Sequence, residues 1–196
     1  MRRTILALLL LLAWVGVSQA ATRYIDNAGS MSGNCTSSNY SITNRNCTGG
    51  DGNAYTTIAA ALSASGTNDT IRLRTGSYAT PSGAFVPKAG QTWEGCRAAV
   101  CGSNETATIT GSGQTNVIFY NGSTSSGTGV TIRYLSLTGG TESAIVIGYL
   151  DSLTLDTLDI SGWNTSNING AMGIQIIGDP GDTVDNLIIR NCVIHD

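Results

Sequence analysis

Charge is scarce in this sequence, and lysine, histidine and glutamate are nearly absent. Lys, Arg, Asp and Glu make up 12% of the 196 residues, with one Lys, one His and three Glu, and aromatic residues reach only 6%. A charged fraction near half the usual quarter, with no block of like charge, excludes an acidic or basic disordered tail. So little Lys and Glu excludes a helical bundle or coiled coil. Ten Lys and Arg against thirteen Asp and Glu leave no basic stripe for nucleic acid. The length suits one domain of ordinary size. What is abundant is Gly, Ser, Thr and Asn, which supply 85 of the 196 residues. That composition points to an all-β exported protein.

The first twenty residues read as a secretory signal. Arg2 and Arg3 precede an uncharged apolar run from Ile5 to Val17, and Ser18-Gln19-Ala20 places small residues at −3 and −1 of a cleavage site. As a helix the run spans roughly 20 Å, short of a hydrocarbon core of about 30 Å. No other segment approaches spanning length, so no membrane anchor is expected after cleavage. A mature chain starting at Ala21 loses Arg2 and Arg3, taking the formal charge from −3 to −5.

Export makes the five cysteines legible. In an oxidising compartment Cys35 with Cys47, and Cys96 with Cys101, form two sequence-local pairs. Four cysteines allow three connectivities, and the local one is expected here. Zinc fits less well, because no CxxC spacing and no nearby His accompany them. Cys192 is left over, and a free Cys behaves as a small buried hydrophobe.

Along the mature chain, Tyr24-Ile25-Asp26 reads as a strand and Ser30 to Asn53 as a polar loop held by the first disulfide. From Tyr55 to Ala64, apolar Tyr55, Ile58, Ala59 and Leu62 recur at helical spacing, and Gly66 ends the helix. Thr70 to Arg74 alternates with period two, Ile71 and Leu73 facing inward. Beyond Gly76, short apolar runs are punctuated by Gly, Asn and Ser.

Those runs repeat. Thr131 to Gly139 overlays Thr154 to Gly162, and Ile188 to Asp196 is a third copy. A second series alternates with it: Val117 to Tyr120, Ala144 to Gly148 and Gly173 to Gly178. A period of 23 to 34 residues in this alignment means stacked units that bury their apolar faces against one another. A β-solenoid with two strands per turn is the expectation, and a β-sandwich the competing one. The overlay predicts interior rows Ile132/Leu155/Ile189, Leu137/Ile160/Ile194 and Leu135/Leu158/Cys192. Outside, Arg133, Asp156 and Arg190 would stack at about 4.8 Å as a plus-minus-plus ladder.

The stretch from Arg23 to Tyr78 resembles the N-terminal part of the right-handed parallel β-helix, or pectin lyase-like, superfamily, which includes the pectate lyases. The matching pieces are Tyr24 to Asn27, Asp51 to Ile58 running into Ala60-Ala61-Leu62, then Asn68 to Leu73 and Thr75 to Tyr78. The resemblance implies that the helix caps the first coil and that the chain divides into a signal peptide (1–20), a cap with first coil (21–78) and further coils (79–196). It also implies that more coils and a C-terminal cap follow, since here the sequence stops on a strand at His195-Asp196. The fold expected is therefore an all-β, right-handed parallel β-helix with an N-terminal capping α-helix, truncated at its C-terminus.

The resemblance further implies action on a polysaccharide, as a lyase or hydrolase of acidic glycans, with a non-catalytic surface, adhesion or glycan-binding module as the alternative. A lyase needs the uronate carboxylate neutralised, commonly by calcium, and a base; a hydrolase needs two carboxylates. Asp156 and Asp159 are the nearest candidate pair, both projecting outward if a turn at Thr157 separates their strands, and Arg190, one column along from Asp156, would serve near a carboxylate substrate. A surface ladder explains the same residues. Asp179, Asp182 and Asp185 are candidate calcium ligands, although Pro180-Gly181 makes a turn there, the spacing matches no known calcium loop, and a solvated loop is the preferred reading. His195, the only histidine, has no nucleophile beside it and reads as a turn residue. Trp93 and Trp163 are candidates for stacking on sugar rings or for packing at coil corners.

Overall fold

The computed structural model describes residues 19–82, 86–111, 113–120, 128–148, 152–164, 170, 172–177 and 185–195. These residues form three sheets in which every neighbouring pair of strands is parallel. The seven-stranded sheet holds β1 (Thr22–Ile25), β2 (Asn53–Tyr55), β3 (Thr70–Leu73), β5 (Thr92–Gly95), β8 (Val130–Arg133), β11 (Leu153–Asp156) and β14 (Leu187–Arg190), in the spatial order β14-β11-β8-β5-β3-β1-β2. The five-stranded sheet stacks β4 (Gly76–Ala79), β6 (Ala107–Thr110), β9 (Ser136–Thr138), β12 (Asp159–Ser161) and β15 (Val193–Ile194). The three-stranded sheet stacks β7 (Ile118–Tyr120), β10 (Ile145–Ile147) and β13 (Ile174–Ile176).

The order in which the chain visits these sheets is cyclic. From β8 it passes to β9, then β10, and returns to the first sheet at β11; β12, β13 and β14 repeat the circuit. The architecture is all-β and solenoid-like. Each circuit carries three strands where the sequence predicted two. The reason is local: Tyr134, Thr157 and Asn191 adopt left-handed φ of 58°, 54° and 55°, and each bends one apolar run into two strands on different sheets.

The interior rows fall where the overlay placed them. Ile71, Trp93, Ile132, Leu155 and Ile189 are successive register partners, as are Tyr78, Ile109, Leu137, Ile160 and Ile194. Ile118, Ile145 and Ile174 form a further row, which the overlay did not name. Burying one such side chain is worth about 1.5–3 kcal/mol, an upper figure for an extended unfolded chain. Trp93 is therefore a core residue, fully buried, with its Nε1 donating to Gln91 Oε1 at 2.8 Å. It offers no face to a sugar. Trp163 is half-buried and packs against the same core.

The helix is shorter than its apolar spacing suggested. Tyr55 belongs to β2, in register with Ile25, and α1 runs over Ile58–Ala64. Thr57 caps it, its hydroxyl accepting from Ala60 N at 3.2 Å. Ile58 and Ala61 are buried, and the helix packs on β1 and β2. A second short helix, α2 (Ala98–Cys101), sits between β5 and β6.

Both expected disulfides are present, Cys35–Cys47 and Cys96–Cys101. Cys35 and Cys96 share a satellite core with Tyr24, Tyr40 and Ala54. Cys192 is free and half-buried against the main core, in the row of Leu135 and Leu158. Among the described residues no helix is long and apolar enough to cross a membrane.

Candidate functional site

Where the seven-stranded sheet turns into the five-stranded one, the outward side chains of each circuit line up. On the first sheet, Arg72, Glu94, Arg133, Asp156 and Arg190 are successive register partners, an alternating ladder longer than the three residues expected. Glu94 is shared by Arg72 at 2.8 Å and Arg133 at 2.6 Å, and Asp156 receives Arg190 at 2.9 Å. Asp156 also accepts from Asn191 Nδ2 and from the Thr157 hydroxyl, both at 3.0 Å. The Arg190 hydrogen bond, followed by those from Asn191 and Thr157, holds the Asp156 carboxyl at about 2. With 5% of its surface exposed, this carboxylate is a tied acceptor.

Asp159 is placed differently. The turn at Thr157 carries it onto the second sheet, where it is exposed and lines a groove of about 400 Å³. Of the two candidate carboxylates, Asp159 lines this groove and Asp156 does not. The partner of Asp159 is His195, whose Nε2 lies 2.9 Å from Asp159 Oδ1. His195 is a groove residue, not merely part of a turn.

Another part of the groove wall comes from the loop that the Cys96–Cys101 disulfide closes. Arg97, the N-cap residue of α2, lays its guanidinium carbon 4.2 Å from the centre of the Tyr134 ring. Arg133 approaches the same ring at 5.5 Å but is engaged by Glu94. Arg97 has no acidic partner among the described residues. Glu105, on the same wall, is bidentate to Arg74 with both contacts at 2.7 Å and accepts from Thr75 N at 2.8 Å. Burial pushes its carboxyl up, but the bonds from Arg74 and Thr75 outweigh this and hold it below the usual range.

Behind the wall a buried ionic network fixes the loop. Arg74 also donates to Tyr40 Oη at 3.0 Å and to Ile42 O at 2.7 Å, and Tyr40 donates to Asp26 at 2.5 Å. Asp26 is fully buried and held by both Nε and Nη2 of Arg45. Burial raises its affinity for a proton, and the bonds from Arg45, Tyr40 and Ala28 N reverse that shift.

Of the remaining sequence candidates, Arg190 serves Asp156 and is 60% exposed. Asp185 is exposed ahead of β14, while Asp179 and Asp182 lie outside the described residues. A hard divalent cation wants several carboxylate oxygens, and among the described residues no three His, Cys, Asp or Glu side chains gather to hold one. Arg97, Tyr134 and Glu105 escaped the sequence reading. The one local signal was Arg97 standing next to a disulfide cysteine. No family model matches the chain, and no curated protein or solved structure matches it.

Proposed function

We propose that the protein is a secreted, right-handed parallel β-helix, capped at its N-terminal end by α1, that acts on an acidic polysaccharide held in the groove between the first two sheets. The leader-like N-terminus, two disulfides and cyclic path through three parallel sheets support the first part. The observation that carries the second is Arg97, a cation laid on Tyr134 at the groove wall with no acidic partner of its own among the described residues. A uronate carboxylate would supply that partner; in the groove lining, Ser136 offers a hydroxyl proton to a sugar oxygen and Thr157, whose own proton goes to Asp156, can accept from a sugar hydroxyl. β-Elimination from a uronate needs its carboxylate neutralised and a base for the adjacent proton. Arg97 suits the first task and the Asp159–His195 pair the second.

A non-catalytic glycan-binding module is the second reading, favoured by the tying of Asp156 to Arg190, Asn191 and Thr157. Incubation with polygalacturonate and alginate, with and without calcium, separates the two. Ultraviolet absorbance of unsaturated products is expected from a lyase, and retention without product from a binding module. Removing the guanidinium in Arg97→Ala is expected to weaken retention roughly tenfold to a hundredfold, the worth of one charged hydrogen-bonded contact. The absence of both retention and cleavage on every uronate polymer tested would refute the proposal.

A further inference from the structure

The carboxylate of Asp69 ties three elements together beside the helix α1. It is buried, with 3% of its surface exposed. Its Oδ2 accepts from Gly66 N, just past the end of α1, and from Arg23 Nε in β1, both at 2.8 Å. Its Oδ1 accepts from Ala21 N at 2.8 Å. That nitrogen belongs to the residue preceding β1, and Ala21 O in turn accepts from Thr70 N at the start of β3. Gln19 and Ala20, the two residues before it, are exposed. Ala21 N is also the atom that the sequence marks, because Ser18-Gln19-Ala20 puts the leader's cleavage site at the Ala20–Ala21 bond.

We propose, on the secretory reading of residues 1–20, that Asp69 is the receptor for the amino terminus that leader removal creates, so that the cut itself locks the first strand. A leader peptidase adds water across the Ala20–Ala21 bond. The water oxygen goes to the Ala20 carbonyl carbon, which leaves as a carboxylate, and both water protons end on the Ala21 nitrogen, which becomes an ammonium at neutral pH. At the same atom, a cation then replaces the amide that donated to Oδ1. Asp69 holds two cations where before it held one, the ammonium on Oδ1 and Arg23 on Oδ2. A hydrogen bond between two charged groups is shorter and roughly twice as strong as a neutral one, and burial spares this one from screening. The gain falls where α1, β1 and β3 meet. A cut one bond to either side would move the ammonium by about 3.8 Å along the chain and leave Oδ1 without it.

Secreted from its own leader-bearing precursor, the protein is expected to begin at Ala21 on amino-terminal sequencing. In urea its unfolding constant is expected to be about threefold to tenfold smaller than that of a chain beginning at Gln19, in which Ala21 N is still an amide. That difference is expected to vanish when both chains carry Asp69→Asn, which removes the negative charge. A start at any residue other than Ala21 overturns the proposal even where the protein is exported. So does equal stability of the two unsubstituted chains, and neither result depends on whether the Asp69→Asn variants fold. A difference undiminished by Asp69→Asn overturns it as well. A protein that keeps residues 1–20 through export overturns both the proposal and the secretory reading beneath it.

Discussion

At the scale of single residues, one tight constraint is the approach of the Tyr134 turn to the strand that carries Gly95. A Cβ built on Gly95 would stand 2.1 Å from the Tyr134 carbonyl oxygen, which is backbone and cannot swing aside. Gly95→Ala is expected to cost about 1–3 kcal/mol in urea unfolding. Gly29→Ala, where nothing lies within 4 Å, should stay within about 0.5 kcal/mol. Trp93 fills the row between Ile71 and Ile132, and Trp93→Ala should cost about 3–5 kcal/mol. Equal stabilities for the two alanine-for-glycine variants would contradict this packing.

At the scale of elements, what was legible and what was not separate cleanly. The apolar rows were legible because stacking puts chemically similar residues above one another, so Ile132, Leu155 and Ile189 could be aligned from sequence. The bends were harder. Left-handed backbone is favoured by Gly and Asn, yet the turn column holds Tyr134 and Thr157 beside Asn191, so the sequence suggests a turn at Thr157 alone and not a bend in every circuit. Thr157 is β-branched at a φ of 54°, and its hydroxyl bonds Asp156. Thr157→Asn is expected to be neutral or to raise stability by about 0.5 kcal/mol, since Asn tolerates this backbone. A loss above about 1 kcal/mol would show that the hydroxyl matters more than the backbone. The 35–47 disulfide closes a loop of sequence separation 12, and the double Cys→Ser variant should lose about 3 kcal/mol by the chain-entropy account.

At the scale of the whole molecule, the groove was not legible because Arg97, Tyr134, Asp159 and His195 come from four separate segments that only the register brings together. The same long-range assembly makes stability depend on pH. Asp69, where burial is outweighed by bonds from Arg23 and from Ala21 N and Gly66 N, joins Asp26, Glu105 and Asp156 in titrating below the ordinary values of 3.8 for Asp and 4.5 for Glu when folded. Folding therefore releases protons in acid: the stabilisation is complete above about pH 5 and is lost as the pH falls toward about 2. Melting temperature should fall steeply across that window, and a flat profile would contradict the ionic network. The register itself can be tested most directly by cross-linking. Thr131 and Thr154 are parallel partners on β8 and β11, where neighbouring strands lie about 4.8 Å apart, within disulfide reach. In a Cys192→Ser background, Thr131→Cys with Thr154→Cys should form an intramolecular disulfide on mild oxidation, while Thr131→Cys with Asp156→Cys, offset by two residues, should not. Cross-linking of the offset pair alone, or of neither, would contradict the stacked parallel coils.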